Sequence, residues 1–288
     1  SLPELETVWR ARSCWVPRLC ASAPPNLEGF VRLHFHARGA LTNLFVETEA
    51  LVPSPRAGIV TILGRAVGLN FRDVLNVLGE YPGDPGPPGG DVAGVASECG
   101  GRLTPGKSNS VAVGGFSHAP LASMSVTSAA LLILKPGVVT FEQMSTLPTT
   151  WSTAHVVLLH AGLKARRVII VHAAAGGVGM QATEYGLWLR SDAFASAGRP
   201  FKHAHLSRGG ISHLCSSRDP SACGAGLALT LGAYRLGVAL NSLSKDFIPV
   251  TYALLSDGGA LEEIGKRTVW TLERHCASSS ATDYQLVA

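Results

Sequence analysis

The clearest pattern in the chain is an apolar run, VIIVH at 168–172, that gives way at once to a glycine-rich stretch and then to helical spacing. After the glycines, Val178, Ala182, Tyr185 and Leu189 recur at intervals that place them on one face of a helix. A continuous apolar run before such a helix is typical of a strand in a parallel sheet covered on both faces. The pattern predicts a buried strand, a tight turn and a helix in succession.

The rest of the chain falls into two regions that differ in their pattern of apolar and polar residues. Residues 29–147 contain short alternating segments, such as VRLHF at 31–35, separated by Gly- and Pro-bearing turns, which favours a small β-barrel. Residues 148–288 carry longer apolar and helical runs, and strands that alternate with helices imply a parallel sheet. We therefore predict an α/β protein with a lead-in segment at 1–28, a barrel domain and a nucleotide-binding domain.

Individual elements are predicted where the spacing is most regular. Helices are predicted at 141–144 and 152–161, and strands at 58–63, 193–196, 238–241, 260–265 and 284–288.

The glycine-rich stretch fits a phosphate-binding turn. Glycines let the backbone approach a pyrophosphate, and the following helix points unpaired N–H groups and its positive end at the anion. The G-x-G-x-x-G pattern is met with alanine in place of the first glycine, and the alternative is a turn that only packs a helix on a strand. The candidate cofactor contacts in this turn are Ala175, Gly176, Gly177, Val178 and Gly179.

The end of the next predicted strand favours NADPH over NADH. An NAD site usually places Asp or Glu there to bind the ribose 2′-hydroxyl, but Asp192 stands at the wrong end of the strand. Hydroxyl and cationic side chains suit a 2′-phosphate, although surface cations are common and these could be solvated charges only. The candidate 2′-phosphate contacts are Ser196, Arg199 and Lys202, and Arg218 is a further candidate cofactor contact.

Composition excludes several classes of protein. The chain has 288 residues, 46% of them hydrophobic and 15% charged, and a formal net charge of +4 without clustered basic residues, so neither nucleic acid nor a membrane is predicted as a partner. Six cysteines without a C-x-x-C pair indicate reduced thiols and a cytoplasmic protein. Cys215, Cys223 and His213 lie close in sequence, but three ligands without a fourth do not make a zinc site.

Several motifs together resemble one family, the enoyl reductase domains of modular type I polyketide synthases and related fatty acid synthases. These domains belong to the medium-chain dehydrogenase/reductases without zinc, which are similar to quinone oxidoreductases. The motifs are GLNFRDVL at 68–75, GEYPG at 79–83, GGDVAG at 89–94, LPTTWSTA at 147–154, AGGVG at 175–179, LNSL at 240–243 and EIGKR at 263–267.

The resemblance implies a GroES-like barrel followed by a Rossmann sheet, and the reduction of trans-2-enoyl thioesters on an acyl carrier protein by NADPH. Two residues match catalytic positions of the family: Tyr81, which could instead be a turn tyrosine packed on the barrel, and Lys266, which could instead be a surface cation. The family match further implies cofactor contacts from Asn70, Thr149, Asn241, Ser242, Leu243 and Lys266.

Other residues in these motifs are predicted to be structural. We expect Arg72 and Asp73 to pair with each other, and a threonine near a helix start is more often a cap than a ligand. His155, His160 and His172 lie among apolar residues and are expected to be hydrogen-bonded in the core.

The chain departs from the family pattern in ways that leave other functions open. GKSNSV at 106–111 replaces the usual GDRV, and residues 227–236 lack the glycine-rich loop that normally precedes the next strand. The aspartate that partners the lysine is expected just after the strand at 284–288, so we expect a C-terminally truncated domain of uncertain activity with neighbouring synthase domains as partners. The alternatives are a free-standing NADPH quinone or enone reductase and a catalytically silent domain of a synthase.

Overall fold

The computed structural model describes residues 8–10, 13–15, 29–49, 58–97, 110–243, 246–266, 269–279 and 281–287. The helices are α1 (Phe71–Val77), α2 (Phe141–Ser145), α3 (Pro148–His160), α4 (Gly177–Trp188), α5 (Pro200–Arg208), α6 (Pro220–Leu231), α7 (Phe247–Tyr252) and α8 (Leu272–Ser278). The strands are β1 (Val8–Arg10), β2 (Ser13–Trp15), β3 (Val31–Phe35), β4 (Leu44–Thr48), β5 (Ile59–Gly68), β6 (Asp91–Ser97), β7 (Val111–Phe116), β8 (Met124–Ser128), β9 (Leu132–Leu134), β10 (Val168–Val171), β11 (Asp192–Ala197), β12 (His213–Ser216), β13 (Leu236–Asn241), β14 (Leu255–Glu263) and β15 (Asp283–Leu286).

The C-terminal half of the chain forms a parallel sheet of six strands in the order β12-β11-β10-β13-β14-β15. From β10 the chain runs outward to β11 and β12, then returns to the other side of β10 and runs outward again through β13, β14 and β15. The order of the strands therefore reverses between β10 and β13. Ligands of open parallel sheets bind in the crevice that such a reversal opens at the carboxyl ends of the strands.

Both faces of this sheet are covered by apolar side chains. One face packs against α3 and α4 around Ile169, Val171 and Leu240, and the other packs against α6 and α7 around Ile170 and Leu261. These side chains are almost completely buried. Burial on both faces explains why the strands are continuously apolar in sequence.

The N-terminal half forms antiparallel sheets. Five strands pair in the order β8-β5-β6-β7-β9, and the hairpin β3-β4 is joined to them through a bridge between Arg32 and Ala122. The core of this part is formed by Val60, Ile62, Val92 and Val113. Helix α3 begins at Pro148 and contacts both β7 and α4, so it links the antiparallel part to the parallel sheet. The division of the chain at 147 remains a prediction.

The predicted elements are confirmed, with shifts at their ends. The predicted strand at 31–35 is β3, and the helix predicted at 141–144 is α2 with one more residue. The helix predicted at 152–161 is α3, which starts four residues earlier because Pro148 occupies its first turn. The segment 98–109, which contains most of the GKSNSV departure, lies outside the described residues.

The histidines behave differently from one another. His172 is buried and hydrogen-bonded, as predicted, but His155 and His160 are exposed on α3. Their neighbours in sequence are apolar because the opposite face of α3 is buried, which a local apolar context cannot reveal.

The prediction of reduced thiols is wrong for one pair. Cys215 at the end of β12 forms a disulfide with Cys223 in α6, with 5.0 Å between their Cα atoms. Helix α6 starts four residues after β12 and packs back on it, which brings the two cysteines within disulfide range. Cys276 is a free, exposed thiol. Within the described residues, no helix has the length and apolar character needed to cross a membrane.

Candidate functional site

The glycine turn lies at the carboxyl end of β10, on one side of the crevice where the strand order reverses. Gly176 is the N-cap of α4, and Gly176 and Gly177 are exposed. A side chain on Gly179 would bring its Cβ to 2.6 Å from the Cα of Ala174 and 2.7 Å from the carbonyl oxygen of Ala173, so glycine is required there. The turn therefore presents free helix N-terminal N–H groups to the crevice.

A buried hydrogen-bonded network supports this turn from below. The imidazole of His172 lies 3.0 Å from the hydroxyl of Ser196 and 2.7 Å from that of Thr251. The Ser196 hydroxyl also accepts the N–H of Ala173, whose φ of 50° is left-handed. Burial lowers the pKa of His172 to about 3, so the ring is neutral at physiological pH. The network fixes the unusual backbone conformation at the start of the turn.

Ser196 takes part in this network. Its side chain is 0% exposed and bonds to His172 and Ala173. A contact of this hydroxyl with a 2′-phosphate stays a prediction. Side chains alternate along a strand, and the sequence does not show which face of β11 carries the serine.

The cations predicted to hold a 2′-phosphate lie at the ends of neighbouring strands. Arg199 is the exposed N-cap of α5, and Lys202 is half-buried in the first turn of that helix. Arg218 is exposed and follows β12, and a Cβ built on Gly198 would lie 3.1 Å from its Nε atom. The structure thus places Arg218 beside the turn that carries Arg199. We take this group, Arg199, Lys202 and Arg218, as the basic cluster.

A buried carboxylate joins two of the predicted site residues. Asp91, the first residue of β6, accepts hydrogen bonds from the amide Nδ2 of Asn70 (3.0 Å), the hydroxyl of Thr149 (2.6 Å) and the N–H of Thr149 (3.1 Å). Burial raises the pKa of Asp91, and the hydrogen bonds from Thr149 and Asn70 oppose this rise. Asp91 was recognised as part of a motif but not as a site residue. The hydroxyl of Thr149 donates to Asp91 and does not cap α3, and its contact with the cofactor stays a prediction.

The predicted pair of Arg72 and Asp73 does not form. Asp73 is buried and accepts the backbone N–H groups of Asn70 and Gly89, both at 2.8 Å. Arg72 donates to the carbonyl of Pro85, and its guanidinium lies 5.8 Å from the centre of the Tyr81 ring. Arg72 and Asp73 are consecutive residues of α1, and because consecutive residues of a helix do not face each other, the two side chains point in different directions. Asp73 shapes the loop around Asn70, and Arg72 contacts the tyrosine.

The residues predicted after β13 and β14 form a second network on the other side of the crevice. Asn241 is fully buried; it donates to Glu263 at 2.6 Å and accepts the N–H of Leu243 at 3.2 Å. Its side chain is therefore hydrogen-bonded within the protein, and its contact with the cofactor stays a prediction. Ser242 is half-buried and donates to the carbonyl of His172 at 3.3 Å. This hydrogen bond connects the segments that follow β13 and β10.

Lys266 follows β14, three residues beyond its end. Its ammonium donates to the carbonyl of Val287 at 2.7 Å. The neighbouring Glu263 is buried, and burial raises its pKa to about 7, opposed by hydrogen bonds from Gly265 and Asn241 and by the charge of Lys266. In the part of the chain that the structure describes, no hydrogen bond joins Lys266 to Tyr81, which lies in the antiparallel part.

The crevice fits a dinucleotide in three respects. The backbone N–H groups at the start of α4, from Gly177 onward, suit a pyrophosphate, whereas the N–H of Gly176 donates to the carbonyl of Ala173 at 2.9 Å. The basic cluster suits a further phosphate, and Asn70 and Thr149 lie where the antiparallel part meets the sheet. A Cβ on Gly177 would lie 2.9 Å from Cγ2 of Thr150, so the start of α3 lies next to the turn. In the described segments, no group of three or more His, Cys, Asp or Glu residues is arranged to hold a metal ion.

An antiparallel, GroES-like part joined to a Rossmann sheet with a glycine turn at its switch point is the fold of the medium-chain dehydrogenase/reductases. No family model matches the chain. The chain is 34% identical over 264 residues to the erythronolide synthase EryA2 of Saccharopolyspora erythraea, an alignment that covers 89% of this chain and 7% of that protein.

Two solved structures are informative. The enoyl reductase of CurK is 30% identical with a TM-score of 0.84, and the match covers 91% of this chain and 81% of that one. A quinone oxidoreductase from Pseudomonas syringae pv. Tomato DC3000 is 22% identical with a TM-score of 0.77 over 90% and 81% of the two chains, which shows the shared fold alone. The chain belongs to the enoyl reductases of modular polyketide synthases, a family of oxidoreductases.

Proposed function

We propose that the chain is an NADPH-dependent enoyl reductase that acts on trans-2-enoyl thioesters carried by an acyl carrier protein. The observation that carries the proposal is the reversal of strand order between β10 and β13, where the exposed glycine turn lies next to the start of α3 in a chain of this family. The curated synthase that it matches is far longer than this chain, so neighbouring synthase domains are proposed as its partners. The division into a barrel domain at 29–147 and a nucleotide domain at 148–288 is part of the same proposal.

Each group of residues has a distinct task in this proposal. The N–H groups of the glycine turn bind the pyrophosphate, and the basic cluster binds the 2′-phosphate with charge-assisted hydrogen bonds. Asn70 and Thr149 flank the nicotinamide. Bound NADPH supplies the hydride that adds to the β-carbon of the enoyl group.

Protonation of the α-carbon is assigned to Lys266 or Tyr81. The ammonium of Lys266 carries a transferable proton and is held at a defined place by the carbonyl of Val287. Tyr81 carries a phenolic proton on the antiparallel side of the crevice, next to the guanidinium of Arg72. The two groups lie on different parts of the fold, so they would approach the substrate from different sides.

The test is oxidation of NADPH by the chain with a crotonyl thioester, preceded by a direct measurement of NADPH binding. We expect turnover in the wild type, and a loss of at least tenfold in kcat for Lys266→Ala, Tyr81→Phe or both. The matched control is Lys164→Ala, which removes an exposed lysine after α3 and should leave kcat unchanged.

The outcomes separate the alternatives. Tight binding of NADPH without turnover of any acceptor would support a catalytically silent domain. Turnover with quinones but not with the thioester would support a quinone reductase. Absence of NADPH binding to the folded protein would refute the proposal as a whole.

A further inference from the structure

We propose that Asp91 is a positioning residue that holds Asn70 and Thr149 in fixed register, so that the antiparallel part and helix α3 form one wall beside the nicotinamide. The inference rests on the proposed function, because it assigns a task to residues that this function places next to the cofactor. Asp91 itself is 1% exposed and is not proposed to touch substrate or cofactor.

The Asp91 carboxylate accepts hydrogen bonds from two separate parts of the chain. Asp91 accepts from the Asn70 amide through Oδ2, and from the hydroxyl and N–H of Thr149 through Oδ1. The N–H of Thr149 also lies 3.3 Å from Oδ2. All the donors approach a single carboxylate, which is the one common side chain that can accept them all without offering a donor in return.

Asn70, Asp91 and Thr149 belong to three different elements of the fold. Asn70 precedes α1, Asp91 opens β6 and Thr149 lies in the first turn of α3. Gly68 and Asp91 are directly paired between β5 and β6, so the loop that holds Asn70 leaves the sheet beside the carboxylate. Asn70 and Thr149 are 79 residues apart in sequence (149 − 70), and Asp91 is their shared partner.

Helix α3 brings this cluster close to the glycine turn. Thr150 follows Thr149 on α3, and its Cγ2 lies where a Cβ on Gly177 would make a 2.9 Å contact. The start of α3 therefore lies next to the first residue of α4. The carboxylate of Asp91 joins the antiparallel part to the helix that packs beside the turn proposed to bind the pyrophosphate.

An amide in place of the carboxylate would break this arrangement. Asn has one acceptor oxygen and places an NH2 group where the second carboxylate oxygen was, so that group would face the amide or backbone N–H donors already there. A buried hydrogen-bond donor without an acceptor destabilises the folded protein, so Asn70 and Thr149 would move away from residue 91. Misplacement of reacting groups by about 1 Å can lower a rate by about 100-fold.

The experiment compares Asp91→Asn with the wild type for kcat, KM for the crotonyl thioester, Kd for NADPH and thermal stability. We expect kcat to fall by about 10- to 100-fold while the protein remains folded and Kd for NADPH changes by about threefold or less. The control is Thr127→Val, which removes a buried hydrogen bond to the carbonyl of Phe116 in the same antiparallel sheet and should lower stability without lowering kcat.

A double-mutant cycle with Thr149→Val tests whether the two residues act together. If Thr149 is held in place by Asp91, the double variant should be no slower than Asp91→Asn alone, because the contact is already lost. Additive losses in kcat would overturn the inference, since Thr149 and Asp91 would then act independently. An Asp91→Asn variant that keeps the wild-type kcat would also overturn it.

Two further outcomes keep the test decisive. If Asp91→Asn does not fold, Thr149→Val is compared with Thr149→Ser, which keeps the hydroxyl; equal kcat values for these two variants would overturn the inference. If the wild type binds no NADPH, the proposed function fails before the role of Asp91 is tested. Failure of the two proposals is thus distinguishable.

Discussion

At the scale of single residues, Glu262 combines full burial with a missing partner. It lies in β14, and among the described residues neither of its carboxylate oxygens has a hydrogen-bond partner. Burial, with a smaller effect from the charge of Asp283, raises its pKa to about 7. Since Leu240 is its neighbour on β13 and Ala260 and Ile264 lie on the same face, the side chain faces apolar surroundings. The charged form of Glu262 is therefore disfavoured in the folded protein.

This leads to a prediction for stability against pH. A carboxyl whose pKa is raised on folding contributes to the stability of the folded state. This contribution is fully present below the ordinary pKa of 4.5, and it is lost as the pH rises through about 7. Glu262→Leu should therefore raise the free energy of unfolding at pH 8, by on the order of 3 kcal/mol, and the gain should shrink toward pH 4.5. Urea unfolding at several pH values measures it.

The control for this prediction is Glu184→Gln, which changes an exposed glutamate on α4 and should leave the pH dependence of stability as in the wild type. Glu263 keeps its own raised pKa in both variants. We therefore expect the free energy of unfolding of Glu262→Leu still to fall somewhat as the pH rises. A Glu262→Leu protein whose stability falls with pH as steeply as the wild type would contradict the prediction.

Ser196 and Arg218 should differ in how they affect cofactor choice. The Ser196 hydroxyl holds the N–H of Ala173 beneath the glycine turn, so Ser196→Ala should weaken NADPH and NADH equally and cost about 1 to 3 kcal/mol of stability. Arg218 belongs to the basic cluster, so Arg218→Ala should weaken the binding of NADPH by about tenfold and leave the binding of NADH unchanged. Isothermal titration with both cofactors measures the ratio of the variant Kd to the wild-type Kd for each. A selective loss of NADPH in Ser196→Ala would mean that the serine reaches the 2′-phosphate.

At the scale of elements, the contact between β10 and α4 depends on Gly179. A Cβ there would clash with backbone atoms of Ala173 and Ala174, which cannot move aside as a flexible side chain could. Gly179→Ala should therefore push α4 away from the strand. We expect this to lower the free energy of unfolding by about 2 to 4 kcal/mol and to weaken the binding of NADPH by about tenfold or more. Thermal unfolding and titration with NADPH measure the two effects.

The matched control for Gly179→Ala is Gly226→Ala. Gly226 lies within α6, and a Cβ there would meet no atom within 4 Å. Alanine stabilises a helix interior by up to about 1 kcal/mol relative to glycine, so this variant should be slightly more stable and bind NADPH normally. Equal effects of the two substitutions would show that the close approach at Gly179 is unimportant.

The sequence predicts elements well where the apolar period is long and regular. The strand β10 and the helix α4 follow directly from the apolar run and the helical spacing after it. Helices α5 and α6 were not predicted, because α5 is mostly polar and α6 is apolar on nearly all sides, so neither has a clear period. Their starts are nevertheless visible in sequence, since each carries proline in its first turn.

The same reasoning explains which site residues could be predicted. The glycine turn depends on local sequence and was predicted by its pattern, whereas the burial of Ser196 and Asn241 depends on which face of a strand meets the core. Asp91 lies far in sequence from Thr149, so their contact depends on the packing of α3 against the antiparallel part. No spacing rule brings these residues together.

At the scale of the whole molecule, the crevice is bounded by two parts of the chain that fold around separate cores. The turn after β10 and the segment after β13 come from the parallel sheet, while Asn70 and Asp91 come from the antiparallel part. A cofactor that spans the crevice would contact both parts and stabilise them together. At 100 times its Kd, such a ligand adds about 2.7 kcal/mol to the stability of the folded state.

Hydrogen exchange with and without NADPH tests this arrangement. We expect slower amide exchange at 174–180 and 241–243, and also at 69–73 and 148–150, because the cofactor would restrain both walls of the crevice. The hairpin β3-β4 lies in a separate two-stranded sheet and should exchange as before, which serves as the internal control. Protection confined to the turn after β10 would mean that the antiparallel part does not share the cofactor site, and the proposed position of the nicotinamide beside Asn70 would then be wrong.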